Sequence, residues 1–151
     1  MDLSAVSLSS LPVLAFLALG LPLAWQDARE SSVAEILLVV VYGLWMAASL
    51  LSENPAARLL AAVLLLYAGG LFTLLLPNRL GEADIAFVSG MAALFSFWPL
   101  MMALALGCVA GLAAFLWLSR GDPAIVLSSP LPLLPCLYWG GATVILGGLV
   151  V

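Results

Sequence analysis

The chain has 151 residues, of which 66% are hydrophobic and only 8% are charged, and its formal net charge is −4. A soluble domain is usually about 25% charged, so this composition excludes a water-facing surface over most of the molecule and predicts a lipid environment. Four arginines, with no lysine or histidine and only two cysteines, exclude a basic nucleic-acid surface and a soft-metal site. We therefore expect no nucleic-acid partner, no metal and no other cofactor.

Apolar segments follow one another along the chain, and short polar stretches separate them. A helix needs about 20 apolar residues to cross the hydrocarbon core. The segments fall at about 10–25, 36–51, 56–76, 84–98, 100–118 and 131–151. Strand-like alternation of polarity is absent from them. The sequence therefore predicts an all-α fold, a single integral membrane domain over 1–151 with about six transmembrane helices. The number is five if the segments on either side of Pro99 join as one kinked helix.

Local patterns predict where some of these helices begin and how they pack. The segment 32–35 reads S-x-x-E, which is typical of a capping box at the start of the second helix. Asn54-Pro55 supplies an N-cap and a proline at the first position of the third helix. Gly107 and Gly111 form a small-x-x-x-small pair, which favours close helix packing inside the chain.

The arginines predict an orientation in the membrane. With six spans, the loops on one side carry Arg29, Arg79 and Arg120, whereas Arg58 lies alone on the other side. The side with more arginine is usually cytoplasmic, so we expect both termini on the outer side.

Two aspartates, Asp27 and Asp84, lie at helix ends on this predicted cytoplasmic side. Ionisable groups at the membrane are costly and indicate a functional site by default. Each also has a plainer interpretation. Asp84 begins the fourth segment, where the helix dipole favours a negative charge, and Asp27 could be a loop residue paired with Arg29. Both interpretations remain open at the level of the sequence.

Three segments together resemble the type IV prepilin peptidases and archaeal preflagellin peptidases, which are membrane aspartyl proteases. The segment 27–33, with Asp27 and then Arg29 two residues later, resembles the family's first-aspartate segment. Gly81-Glu82-Ala83-Asp84 resembles its G-x-G-D motif. Pro132 and Pro135 resemble the P-x-x-P opening of its last helix. The order and spacing of these matches cover nearly the whole chain.

The resemblance implies an aspartic-type endopeptidase in a prokaryotic plasma membrane. Asp27 and Asp84 would be its catalytic pair at the cytoplasmic surface, and a prepilin-like or preflagellin-like protein would be its substrate. Carboxyls that close cannot both ionise, so one would activate water and the other would donate a proton. From the helix dipoles, we expect Asp84 to be the ionised partner and Asp27 the protonated one.

The chain departs from the family pattern at Ala83, which replaces the second glycine of the motif, and at Ile85-Ala86, where valine and lysine often follow. These departures leave a catalytically inactive relative as an alternative. Another alternative is a small transporter or channel subunit that uses Asp27 and Asp84 to bind a proton or cation. A structural assembly partner is the third.

Overall fold

The computed structural model describes residues 11–30, 33–52, 54–75, 81–118 and 133–147. These residues form helices without any strand, which confirms the predicted all-α class for this part of the chain. In chain order the helices are α1 (Leu11–Glu30), α2 (Glu35–Ser49), α3 (Pro55–Leu75), α4 (Glu82–Leu94), α5 (Phe97–Leu118) and α6 (Leu134–Leu146). The predictions made for Ser32, Arg79, Arg120 and Pro132 lie outside the described residues.

Two of the described helices are long and apolar enough to cross a membrane. They are α3, over Pro55–Leu75, and most of α5, over Phe97–Trp117, with mean hydropathies of 2.0 and 2.2. Helices α2 and α6 are also apolar but shorter, with 15 and 13 residues. Through these two long helices the structure supports, at a coarse level, the predicted membrane class.

Helix α4 is the most buried of the described helices, with eight of its 13 residues buried. Five aromatic side chains pack together beside it: Phe16, Trp45, Phe87, Phe95 and Tyr138. The centroid of the Phe16 ring lies 5.0 to 6.1 Å from those of the other four rings. Aromatic side chains bury large apolar areas, so this cluster joins α1, α2, α4 and α6 into one core.

Glycines allow the closest contacts between the helices. A Cβ atom at Gly90 would overlap the indole ring of Trp45, and one at Gly140 would overlap the main chain of α5, where Gly107 N would be 2.8 Å away. Gly107 and Gly111 both face α6. The predicted packing role of this pair inside the chain is therefore confirmed, because it lets α5 and α6 approach at main-chain distance.

Side-chain hydrogen bonds fix the position of α4. Ser89 donates to the Ala62 carbonyl (2.7 Å) and accepts from the Tyr42 hydroxyl (3.0 Å), which links α4 to α2 and α3. At the end of α4, Arg58 donates to the Leu94 carbonyl (2.6 Å). The last carbonyls of a helix lack partners within it and carry its negative dipole end, so a cation stabilises them.

The helix ends gather at two ends of the bundle. The end of α1 lies beside the start of α2, where Gln26 Oε1 accepts a hydrogen bond from the Ala34 N–H (3.3 Å). It also lies beside the start of α6, where Asp27 accepts one from the Leu134 N–H (3.2 Å). The Arg58 contact puts the start of α3 beside the end of α4, so α3 and α4 are antiparallel.

Three predicted helix boundaries were wrong. α1 continues through Glu30, so its polar end is helical. The break before α5 falls at Phe95-Ser96 and not at Pro99, because proline is tolerated in the first turn of a helix. α2 has Ala34 at its N-cap position, without a side-chain cap, so the predicted capping box does not begin this helix. The predicted start of α3 at Asn54-Pro55 is confirmed.

Candidate functional site

Asp27 lies in the last turn of α1, and its side chain is buried, with 8% of the residue exposed. One carboxylate oxygen accepts a hydrogen bond from the main-chain N–H of Leu134, at 3.2 Å. A buried carboxyl group is costly unless it is hydrogen-bonded, and this contact supplies the bond. Asp27 is therefore not the solvated loop residue of the plainer interpretation.

The partner of Asp27 is the first residue of α6. Leu133 occupies the N-cap position of this helix and provides no side-chain cap, and Pro135, the second helical residue, has no N–H to offer. The exposed end of the α6 dipole is positive and favours a negative charge. The dipole of α1 alone therefore does not describe the surroundings of Asp27, because α6 acts in the opposite direction.

Asp84 is the third residue of α4, after the N-cap residue Gly81. Its carboxyl group folds back and accepts a hydrogen bond from the Gly81 main chain. A Cβ atom at position 81 would lie 3.1 Å from Asp84 Oδ2, which is tighter than ordinary van der Waals contact. The structure therefore explains why glycine suits position 81 of the predicted motif, because it leaves room for the Asp84 carboxyl group.

The two carboxyl groups interact electrostatically. Burial raises the pKa of Asp84 from 3.8 to about 6, the negative charge of Asp27 adds to the rise, and the Gly81 hydrogen bond opposes it. Burial also raises the pKa of Asp27, and the hydrogen bond from Leu134 opposes that rise. Both groups lie at helix ends, Asp27 in the last turn of α1 and Asp84 in the first turn of α4. We call Asp27 and Asp84 the carboxyl pair.

The surroundings of Asp27 affect which carboxyl group ionises more readily. From the dipoles of their own helices alone, Asp84 was expected to be the ionised partner. The Leu134 N–H and the positive end of the α6 dipole both favour the ionised form of Asp27, an effect that acts in the opposite direction.

The other predicted site residues surround the carboxyl pair unevenly. Glu82, the first residue of α4, is exposed, whereas Ala83 is half-buried and packs against the core. Arg29 is exposed and forms no ion pair with Asp27. Pro135 is half-buried in the first turn of α6. Pro132 lies outside the described residues.

The Leu134 N–H, which donates a hydrogen bond to Asp27, was not predicted from the sequence. A main-chain donor leaves no signal in residue type, and 107 positions separate it from Asp27. The proline at 135 is the one local hint, because proline near the start of a helix marks where free N–H groups point outward. Within the described ranges, no three histidine, cysteine, aspartate or glutamate side chains are grouped as metal ligands.

No family model, no curated protein and no solved structure matches this chain. The resemblance to the prepilin peptidases therefore stays a prediction that depends on the residues of the three segments. The geometry adds two carboxyl groups whose charges interact, each hydrogen-bonded to a main-chain N–H at a helix start. Chemically, two acids whose charges interact can ionise one at a time, so that one acts as a general base and the other as a general acid.

Proposed function

We propose that this protein is a membrane aspartyl endopeptidase that removes the short leader from prepilin-like or preflagellin-like proteins. The observation that carries the proposal is the carboxyl pair. Aspartic proteases depend on two carboxyl groups that titrate as a unit and share a proton. Burial is the main cause of the rise in the pKa of Asp84 to about 6, and the charge of Asp27 adds to it, so one carboxyl group can stay protonated while the other is ionised.

The exposed surfaces of α3 and α5 support a membrane location. Only 6% of the apolar stretch of α3, and 17% of the apolar stretch of α5, is buried inside the bundle. The core helix of a soluble protein would be mostly buried, so these surfaces suit a lipid environment. We infer a multi-pass protein of about six crossings in a prokaryotic plasma membrane. The carboxyl pair would lie at the cytoplasmic surface.

In the proposed mechanism, ionised Asp27 takes a proton from a water molecule while the water oxygen attacks the scissile carbonyl carbon. Protonated Asp84 donates to the carbonyl oxygen as the tetrahedral intermediate forms. Collapse of the intermediate breaks the C–N bond: Asp27 donates its proton to the leaving nitrogen, and Asp84 takes a proton from one hydroxyl group of the intermediate. The products are a carboxylic acid and an amine, and the pair again holds one proton, on Asp84.

The substrate class follows from the place of the pair. A prepilin-like protein has a short, often basic leader ahead of a hydrophobic helix. A site at the end of a membrane bundle can reach the bond between these two parts while the helix stays in lipid. Glu30 is exposed near the helix end that carries Asp27, and its negative charge would attract a basic leader.

The experiment is a cleavage assay with the purified protein in detergent and a panel of prepilin-like substrates. We expect leader removal by the unmodified protein and none by Asp27→Asn or Asp84→Asn. Glu82→Gln is the matched control, because it removes an exposed carboxylate from the same turn of α4 as Asp84. Cleavage that survives in both aspartate variants would exclude the carboxyl pair as the catalyst.

The pH dependence of cleavage gives a second measurement. Asp84 must carry the proton, so kcat/KM in the free enzyme should fall as the pH rises through about 6, the pKa of Asp84. A rate that continues to rise across this interval would contradict the assignment of Asp84 as the acid.

A proton-coupled transporter is the second candidate, because a carboxyl with a pKa of about 6 can also take up and release protons near neutral pH. Proteoliposomes distinguish the two. Proton flux that Asp84→Asn abolishes, without leader removal, would favour transport. A folded protein that shows neither activity would be the catalytically inactive relative.

A further inference from the structure

The start of α6 contacts the carboxyl pair through a main-chain group. The Leu134 N–H donates to Asp27 at 3.2 Å, in a position where only 8% of Asp27 is exposed. Leu134 itself is 1% exposed. If the N–H group is removed, water therefore has little access to Asp27 to donate a hydrogen bond in its place.

The local structure of α6 directs this one donor at Asp27. Leu133, the N-cap residue, has helical dihedrals (φ −85°, ψ −31°) and gives no side-chain cap. Proline occupies position 135, so the next residue offers no N–H. The Leu137 N–H already donates to the Leu133 carbonyl at 3.0 Å, within the helix. The Leu134 N–H reaches outside the helix, and its acceptor is Asp27.

A hydrogen bond from an N–H group to a carboxyl favours the ionised form, because charge strengthens the bond. The positive end of the α6 dipole acts in the same direction. A contact that only caps the helix would work equally well with a neutral acceptor, such as the side-chain oxygen of asparagine. A contact that controls the charge of Asp27 would instead favour the ionised carboxylate. The ionisation of Asp27 therefore distinguishes these two roles.

We propose that the start of α6 is a positioning element of the carboxyl pair: the Leu134 N–H holds Asp27 in its ionised form and so gives it the water-activating role. This inference rests on the proposed function for the catalytic role, whereas the effect on ionisation does not depend on it. Leu134 contributes to the contact only through its main chain, while its side chain is buried in the core.

Other charged and titratable groups around Asp27 are few. Asp84 faces it from α4 and Cys136 from α6, since the charge of Asp27 acts on both groups. On α1, Arg29 and Glu30 are exposed, and Glu35 at the start of α2 is exposed. No cation among the described residues pairs with Asp27. The Leu134 N–H is therefore the group to perturb.

An amide-to-ester substitution isolates this contact. Incorporating the α-hydroxy analogue of leucine at position 134 replaces the N–H with oxygen and keeps the buried side chain. On the acidic side of its pH profile, kcat/KM rises as Asp27 ionises, and we call this rise the acidic limb. We expect its midpoint to shift to a higher pH by about one unit, because Asp27 ionises less readily without the N–H group. The same ester at position 137 is the control, since it removes an ordinary helix hydrogen bond and should leave the limb in place.

An unchanged acidic limb in the 134 ester would overturn the proposal. So would an equal displacement in both esters, because the effect would then be structural.

Infrared titration of the carboxylic-acid C=O band tests the ionisation without any cleavage. We expect the band that titrates near pH 6 to be lost in Asp84→Asn and retained, at a lower midpoint, in Asp27→Asn. In Asp84→Asn, the 134 ester should raise the midpoint of the remaining Asp27 band. Loss of the band in Asp27→Asn, with retention in Asp84→Asn, would reverse the assignment. Absence of cleavage alongside the expected titration would reject the proposed function and leave the α6 contact established.

Discussion

Replacing Asp84 with asparagine is expected to abolish cleavage and, at the same time, to stabilise the protein at neutral pH. The side chains of aspartate and asparagine have nearly the same shape, so the packing around the start of α4 should be preserved. What changes is the charge. The effect on stability therefore measures the cost of holding an ionised carboxyl at this position.

The magnitude follows from the pKa of Asp84. Burial and the charge of Asp27 raise this pKa from 3.8 to about 6, so the folded protein keeps a proton that the unfolded chain has lost. The group's contribution to stability is fully present below pH 3.8 and is lost as the pH rises through about 6. At about 1.4 kcal/mol per pH unit, the loss comes to about 3 kcal/mol. Because Asp84 is partly exposed, screening by water makes this the upper end of the effect.

The assay is thermal unfolding in detergent at several pH values for the unmodified protein and for Asp84→Asn. The two should be equally stable below pH 4, and the variant should become the more stable protein by up to about 3 kcal/mol above pH 7. Glu82→Gln is the control, because Glu82 is exposed in the same turn and its charge is solvated. A variant that is less stable than the unmodified protein at pH 7, or a difference that does not change with pH, would refute the reasoning.

Two further substitutions test the contacts around the site and the core. Asp27→Ala should lower the free energy of unfolding by about 1–3 kcal/mol more than Asp27→Asn, because only asparagine leaves an acceptor for the buried Leu134 N–H; chemical denaturation of the two variants compares them. Gly90→Ala should destabilise the protein by about 1–3 kcal/mol or prevent folding, because the new Cβ atom would overlap the Trp45 ring. Gly43→Ala, where nothing lies within 4 Å, should be neutral or stabilising, and an equal loss at both glycines would contradict the packing argument.

Local chemistry made several features predictable from the sequence. Proline at a first helical position and an N-cap asparagine signal a helix start by themselves, and α3 does begin at Pro55. The spacing of Gly107 and Gly111 likewise depends only on helix geometry. Asp84 was singled out as an ionisable residue at a predicted helix start, and α4 does begin there, at Glu82.

Features that depend on distant partners could not be predicted in this way. The end of α4 at Leu94 depends on Arg58, and the ring of Phe95 joins the aromatic cluster through Phe16. The surroundings of Asp27 depend on a main-chain N–H that lies 107 positions away. The dipole of the residue's own helix is therefore an incomplete guide to which carboxyl group ionises.

The attachment of α4 to its neighbours at two places has a consequence for how the protein should respond to its bilayer. Ser89 in the middle of α4 is bound to Tyr42 and to the Ala62 carbonyl, and the last carbonyl of α4 is bound by Arg58. Sliding of α4 along its axis by one residue, about 1.5 Å, would therefore disrupt both attachments. Thicker or thinner lipids act first on the outward-facing α3 and α5, which can tilt to match them. The distance between the two carboxyl groups should therefore stay nearly constant when the acyl-chain length of the lipids changes. In vesicles of graded thickness, we expect the cleavage rate to stay nearly constant until the bundle itself unfolds.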